Sequence, residues 1–142
     1  MSSSLYPLAV LILGTLAMGA RAANDELVVV AHASVNARAI SAEDLRDVFL
    51  GERHTLPEGP TVSPVFLRNG PTHEAFLKAY VGKSDGAFRA GWMRLVFTGK
   101  GTLPRTFESE ADLLDYVSVT PGAIGYARSA ASRSNVKVLA VK

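Results

Sequence analysis

The sequence predicts an α/β domain, and three features of the chain carry that prediction. Residues 26–32 (ELVVVAH) contain a continuous run rich in β-branched side chains, which is typical of a strand covered on both faces. Several later segments place apolar residues at helical spacing behind a Ser or Gly that suits a helix start. Two short apolar runs, 123–127 and 136–141, indicate closing strands. The predicted order is strand, helix, strand, three helices and two strands, which is typical of an α/β domain.

The first helix and the second strand follow the opening run. Ser41 is placed to cap a helix with acidic residues in its first turn, and Gly51 is placed to end it. Residues 61–67 are predicted to be the second strand. Pro64 stands inside that strand, and a proline cannot donate to a neighbouring strand, so we expect a sheet edge or a bulge there.

Three further helices are predicted before the closing strands. Pro71 suits the first position of a helix, with Gly70 as its N-cap, because proline has no N–H to leave unpaired there. Gly82 is placed to end this helix. Ser84 and Ser109 are placed to cap the other two helices, each with an acidic residue in its first turn.

Residues 1–22 are predicted to be a secretory signal peptide, which leaves residues 23–142 as one domain. An apolar run of about a dozen residues leads into small residues that end in Ala20-Arg21-Ala22, a pattern typical of a cleavage site. The alternative is a membrane anchor, but the run is shorter than the ~20 apolar residues that a membrane span needs. We therefore expect a secreted, periplasmic protein.

Composition and motifs argue against several classes of function. The formal net charge is +2 and no block of like charge occurs, which argues against a nucleic-acid partner. The chain has no Cys and no G-x-S-x-G motif, so the usual signs of a nucleophilic enzyme are missing. The three histidines are dispersed and form no pair at metal-ligand spacing. We expect no enzyme activity, no metal and no cofactor; the histidines are His32, His54 and His73.

The turn before Pro71 is the main candidate for a binding site. A helix start exposes backbone N–H groups that attract phosphate, sulfate or carboxylate, and those of Thr72 and His73 are placed to do so. Arg68 adds a planar pair of donors and Thr72 adds a hydroxyl. The alternative is an ordinary strand-to-helix turn, which uses the same residue types. The candidate ligand-binding residues of the turn are Arg68, Asn69, Gly70, Thr72 and His73.

A second polar turn follows the first predicted strand and carries Ser34 and Asn36. Ligands of open α/β sheets bind beyond the carboxyl ends of strands, so this turn is expected to face the same crevice as Arg68, with Ser34 as a sixth candidate. The alternative is that both side chains only satisfy the loop backbone. The glycines around Lys100 lack the spacing of a phosphate-binding P-loop, and we interpret that stretch as a helix end and turn.

Four stretches carry a family resemblance: LRDVFLGER with a PEGP turn, SPVFLRNGPTHEAF, WMRLVFTGKGTLPR and TPGAIGYA. In this order, they resemble phosphate-type periplasmic substrate-binding proteins of ABC transporters, above all the short single-lobe relatives. The resemblance extends from about residue 27 to residue 141, nearly the whole predicted domain. It implies one lobe of a type II periplasmic-binding-protein fold, with a central, mostly parallel sheet flanked by helices.

The resemblance also implies roles for individual residues. Arg68 and Thr72 match the Arg and the Thr of the family's anion-binding turn, and Ser34 loosely matches the hydroxyl residue after its first strand. Pro71 stands near the Ser of the family's Ser-Gly-Thr run and removes one N–H donor. Full-length members close two lobes on phosphate, so a single lobe is expected to bind more weakly, to dimerise or to dock on a partner.

Two functions follow from the sequence. The first is a secreted solute-binding module that binds phosphate or a similar small oxyanion for an ABC permease or a membrane sensor. The second is a protein-interaction or sensory-accessory module of the same fold without a small-molecule ligand. A hydrolase is a third hypothesis, and it would require a Ser or a carboxylate within hydrogen-bond distance of a His.

Overall fold

The computed structural model describes residues 26–57, 59–128 and 133–142. The predicted signal peptide, residues 1–22, lies outside the described residues. Across the described part of the chain, no helix combines the length and the apolar character that crossing a membrane requires.

Strands and helices alternate along the chain, and a π-helical segment (Leu77–Val81) directly continues the second helix. The elements are β1 (Val28–His32), β2 (Ala39–Ile40), α1 (Ala42–Phe49), β3 (Ser63–Pro64), β4 (Phe66–Leu67), α2 (Pro71–Phe76), α3 (Asp85–Phe97), β5 (Thr106–Phe107), α4 (Glu110–Val119), β6 (Ala123–Ala127) and β7 (Val136–Val141).

The predicted helix starts are confirmed. The hydroxyls of Ser41, Ser84 and Ser109 each accept a hydrogen bond from the backbone N–H three residues further on. Gly70 precedes Pro71 with a φ of 102°, a conformation that favours glycine. The helices therefore begin where local chemistry places them.

Five strands form the main sheet in the order β2-β7-β1-β6-β3, and β4 pairs with β5 in a second, two-stranded sheet. The predicted α/β class is confirmed. Three of the five described pairings are parallel, namely β2 with β7, β3 with β6 and β4 with β5. β1 runs antiparallel to both of its neighbours, β6 and β7. The end of β1 therefore lies at the edge of the sheet where β6 and β7 begin.

The predicted strand 61–67 is two short strands that belong to different sheets. β3 is an edge strand, as Pro64 predicts. The N–H of Val65 still donates to the carbonyl of Ile124, whereas the N–H of Phe66 donates to the carbonyl of Arg105 in the second sheet. The chain therefore leaves one sheet and enters the other at Val65, and it carries the Arg68 turn with it.

The core joins both sheets to the helices through aromatic rings. Phe49, Phe66, Phe76 and Tyr126 are all at most 5% exposed, and the Phe76 and Tyr126 rings stack with centroids 4.0 Å apart. The hydroxyl of Tyr126 accepts a hydrogen bond from the N–H of Leu67 at 3.0 Å. That bond fixes the end of β4, and hence the start of the candidate site, to the buried centre of the sheet.

Candidate functional site

Two strand-to-helix turns lie side by side at one edge of the molecule. β4 and β5 are parallel, with Leu67 opposite Phe107, and the N–H of Arg68 donates to the carbonyl of Phe107 at 2.8 Å. The chain runs from β4 into α2 and from β5 into α4 within a few residues. Both helix starts, each with its partial positive charge, are therefore close to the Arg68 turn.

The guanidinium of Arg68 lies at the surface of this edge. Its Nη1 is 2.7 Å from Oε1 of Glu108, and the two side chains are 56% and 72% exposed. An ion pair this exposed contributes little to stability, because water screens it and both side chains lose freedom in forming it. Arg68 can therefore exchange Glu108 for another anion at small cost.

The hydroxyl of Thr72 is already bonded to a carboxylate. Thr72 is only 7% exposed, and its Oγ1 donates to Oε2 of Glu110 at 3.0 Å. The backbone N–H of Arg128, just past the end of β6, donates to Oε1 of the same carboxylate at 2.5 Å. Two oxygens of one anionic group are thus held by a hydroxyl and a backbone N–H. Two such donors can hold an oxyanion, and in this structure the carboxylate of Glu110 is bonded to them.

Sequence reasoning missed the part that Glu110 plays. It interpreted the residue as an ordinary acid in the first turn of a helix, which is also true, since Glu110 is the first residue of α4. The pairing of β5 with β4 brings that first turn against Thr72. A two-residue strand in an apparent loop gives no periodic signal, so the juxtaposition could not be found from the sequence.

The ring of His73 lies in the interior rather than at the candidate site. The residue is 1% exposed, and its Nδ1 is 2.5 Å from the hydroxyl oxygen of Tyr126. Leu67 donates to that same oxygen, and Nε2 of His73 lies 2.8 Å from Oδ1 of Asp85. His73 thus bridges β6 and α3 in the interior, and only its backbone N–H is available to a ligand at the helix start.

The hydrogen bonds of Tyr126 and His73 continue through Asp85 to the surface, where Arg89 contacts Asp85. The Arg89 Nε donates to both carboxylate oxygens of Asp85, at 2.9 and 3.0 Å. These bonds hold the pKa of the Asp85 carboxyl below its usual range; the bond from His73 acts in the same direction, and partial burial opposes it. Arg89 also donates to the carbonyl of Arg68. Residues on α3 therefore fix the backbone of the Arg68 turn. At the buried end of the network, burial raises the pKa of the Tyr126 hydroxyl.

Ser34 does not join the Arg68 turn, contrary to expectation. Its Oγ accepts a hydrogen bond from the N–H of Gly122, which precedes β6, whereas Arg128 and Thr72 lie beyond the other end of β6. A strand of five residues spans roughly 16 Å. The expectation of one shared crevice is wrong because β1 runs antiparallel to β6.

The one Ser–His contact in the described part of the chain is a local turn. Ser34 Oγ lies 2.8 Å from Nδ1 of His32, but the backbone N–H of Ser34 donates to that same nitrogen at 2.9 Å. The nitrogen lone pair is therefore in use and is poorly placed to accept a proton from the hydroxyl. The two bonds close the loop after β1.

Asn69 and Gly70 complete the predicted turn. Asn69 is exposed, and a Cβ built at Gly70 would meet no atom within 4 Å. The positive φ of Gly70, and not lack of space, therefore favours glycine there. Among the described residues, no three His, Asp or Glu side chains are grouped to hold a metal ion.

Comparison with solved structures identifies the fold. The chain superimposes on a protein from Clostridium perfringens assigned as a phosphate ABC transporter substrate-binding protein, solved with bound phosphate, with a TM-score of 0.64 and 16% identity over 84% of this chain. It also superimposes on an ABC-type phosphate transport receptor from Vibrio cholerae, with a TM-score of 0.53 and 13% identity over 84% of this chain. No protein-family profile and no curated protein matches the chain.

The chain therefore has a periplasmic-binding-protein-like fold, as the four sequence stretches predict. It spans 46% and 47% of the two solved chains, less than half the length of either. A likeness at this level of identity defines the fold, and the function has to be argued from the site.

Proposed function

We propose that the protein is a secreted solute-binding module that binds phosphate or a similar small oxyanion, and that it performs no chemistry. The observation that carries the proposal is the donor set around Glu110, in which Thr72 and the N–H of Arg128 hold two oxygens of one anionic group. The exposed guanidinium of Arg68 stands beside it, paired only with the exposed Glu108. The shared fold with two proteins whose names specify phosphate transport supports the choice of ligand.

The proposed ligand groups come from the Arg68 turn and from the backbone N–H of Arg128 after β6. Arg68 supplies a guanidinium, Thr72 a hydroxyl, and Asn69, Gly70 and His73 their backbone N–H groups. Hydrogen bonds from a charged donor are stronger than those from a neutral donor, so Arg68 is expected to contribute most to the binding free energy. Ser34 is left out of the proposed set because it lies at the other edge of the sheet.

The carboxylate of Glu110 sets the affinity of this site. An incoming anion must either displace that carboxylate or lie beside it. Two unit charges about 4 Å apart interact by about 4 kcal/mol at an effective dielectric constant near 20. We therefore expect weak binding of phosphate, in the micromolar range or poorer, by the single lobe.

Calorimetry on residues 23–142 tests the proposal. Phosphate and sulfate are expected to give heat, and Arg68→Ala is expected to weaken binding about tenfold, the loss of one charged hydrogen bond. Arg38→Ala is the matched control, because Arg38 is exposed and lies just before β2, the edge strand on the opposite side of the main sheet from β3. If neither anion gives heat with the wild-type protein, or if both variants bind like wild type, the proposal is wrong.

We also propose that residues 1–22 direct secretion to the periplasm and that an ABC permease or membrane sensor receives the bound solute. Expression of the full chain in a Gram-negative host tests the first part. The periplasmic fraction is expected to contain a protein that begins at Ala23, measured by intact mass. A cell-associated protein of full-length mass would contradict it.

A second function, an interaction module, is favoured by one surface feature. Met93 and Phe97 stand one helical turn apart on α3 and are 40% and 81% exposed, and Leu103 in the next loop is 55% exposed. Exposed apolar side chains grouped in this way are typical of a contact surface, which a homodimer or a membrane partner could cover. Phe97→Glu is expected to abolish such an association, measured by sedimentation of the protein alone and by cross-linking to the co-expressed permease. Arg38→Ala is expected to leave it unchanged, because Arg38 is exposed and lies just before β2, on the opposite side of the main sheet from β3.

A further inference from the structure

A cavity lies between the loop after α3 and the edge strand β3, and it adjoins a cavity that Arg68 lines, since Trp92 and Leu103 line both. Its volume is about 540 Å³. Ser63, Lys100, Thr102 and Arg105 supply polar groups to its lining, and Trp92 and Tyr116 supply aromatic rings. Of the residues that the structure describes, no Asp or Glu lines it.

The two cations of this cavity differ from the paired arginines elsewhere on the surface. Arg53, Arg68 and Arg89 each form an ion pair with a carboxylate. In the described part of the chain, the side chains of Lys100 and Arg105 have no such partner, and Arg105 instead stacks over the Tyr116 ring, with its Cζ 5.5 Å from the centroid. A concave surface that carries charge of one sign concentrates ligands of the opposite sign. The cavity is therefore suited to an anion.

The size and the walls of the cavity indicate what kind of anion. Ligand pockets hold about 300–1,000 Å³, so this one accommodates a small organic molecule and would be mostly unfilled by an inorganic oxyanion. Trp92 donates its Nε1–H to the carbonyl of Phe49 at 2.9 Å, so its ring is fixed and only its apolar surface is left for a ligand. Val65, Leu103 and Pro104 add further apolar lining. The lining thus combines two positive charges with apolar and aromatic surface.

We infer that this cavity binds an organic dianion with an apolar or aromatic body, such as an aromatic phosphate monoester, with Lys100 and Arg105 facing its charge. The inference is independent of the oxyanion site at Arg68, since the two sites share no proposed ligand residue.

The fluorescence of Trp92 provides the readout, because Trp92 is the only tryptophan in the chain. We chose phenyl phosphate as the probe, with inorganic phosphate matching its charged group and phenol matching its ring. Phenyl phosphate is expected to change the Trp92 emission in a saturable way, with an affinity about tenfold or more above that of either fragment. Equal affinity for phenol would overturn the inference, and so would the absence of any saturable change.

Matched variants separate the two sites. Lys100→Gln and Arg105→Gln are each expected to weaken phenyl phosphate binding about tenfold, and both residues are exposed, so the fold is expected to persist, as thermal unfolding will check. Arg68→Gln is expected to leave this affinity unchanged. Loss of phenyl phosphate binding in Arg68→Gln alone would place the ligand at the other site and overturn the inference. Phosphate calorimetry on the same variants reports on the Arg68 site separately.

Discussion

At the scale of single residues, the carboxylate of Glu110 controls the proposed oxyanion site. It holds the two donors that a ligand would need, the Thr72 hydroxyl and the Arg128 N–H. Its own charge repels the anions that those donors would attract. The same group therefore stabilises the empty lobe, because it satisfies donors that are largely buried, and weakens binding.

Glu110→Gln separates these two effects. The amide has nearly the same shape and can still accept one of the two bonds, but it carries no charge. We expect the affinity for phosphate to rise about tenfold or more. Removing a nearby charge of the same sign as the ligand is expected to make the free energy of binding more favourable by about 1.4 kcal/mol or more. Calorimetry measures it, with Glu43→Gln as the control, because Glu43 is exposed in the first turn of α1. An unchanged or weaker affinity would mean that Glu110 does not compete with the ligand.

The sequence predicts some residues of the proposed site but not the distant residues that contact them, and the reason is physical. Arg68, Gly70 and Thr72 can be proposed from the sequence because the chemistry of a helix start is local in sequence. The partners of those residues are not local. Glu110 lies 38 residues from Thr72, and Tyr126 lies 53 residues from His73, so only the pairing of strands brings each pair together.

At the scale of elements, helix starts were predicted well and strand pairing was not. Ser41, Ser84 and Ser109 cap the helices that they were predicted to cap. The direction of β1 was missed, since a run of β-branched residues specifies a buried strand but not the orientation of its neighbours. Because that orientation was not predicted, Ser34 was expected near the Arg68 turn at the end of β6, whereas it lies at the start of β6.

Close packing of β6 against α4 depends on the absence of a side chain at Gly125. A Cβ there would lie 2.9 Å from Cδ2 of Leu113 and 3.1 Å from Cγ2 of Val65. We expect Gly125→Ala to lower the free energy of unfolding by about 2 kcal/mol, because the neighbours must shift in a packed core. Gly91→Ala is the control, since a Cβ at Gly91 in α3 would meet no atom within 4 Å, and it is expected to stabilise by about 0.5–1 kcal/mol. Urea unfolding measures both, and equal effects would contradict the packing argument.

Asp85 links α3 to the buried His73, and its titration predicts a dependence of stability on pH. The pKa of Asp85 in the fold lies below its ordinary value of 3.8, chiefly because Arg89 donates to the carboxylate. A carboxyl group whose pKa is lowered by folding contributes its full stabilisation at pH values above its ordinary pKa. That stabilisation is lost as the pH falls through the pKa of the group in the folded protein. We expect Asp85→Asn to be less stable than wild type at pH 7 and to lose less stability between pH 5 and about pH 2. Thermal unfolding across that range measures it, with Asp112→Asn, exposed on α4, as the control. Parallel slopes for wild type and Asp85→Asn would contradict it.

At the scale of the whole molecule, the chain shares its fold with two solved proteins and spans less than half the length of either. The resemblance of four sequence stretches predicted this fold, and the sheet and helices confirm it. The proposed site lies at the surface, where Arg68 is 56% exposed and its partner Glu108 is 72% exposed. Water and salt reach an anion in such a site, whereas an enclosed site would exclude them.

The openness of the site predicts that phosphate binding weakens strongly with salt. The Debye length falls from about 10 Å at 0.1 M to about 3 Å at 1 M ionic strength, so exposed charges attract each other less as salt is added. We expect the affinity of the wild-type lobe to fall about tenfold over this range, measured by calorimetry in sodium chloride at constant pH. Arg68→Ala is expected to show a smaller dependence, because the variant lacks the main exposed cation of the site. An affinity that is insensitive to salt would instead mean that the ligand is enclosed, and sedimentation with and without phosphate would then test whether a second copy of the chain closes over it.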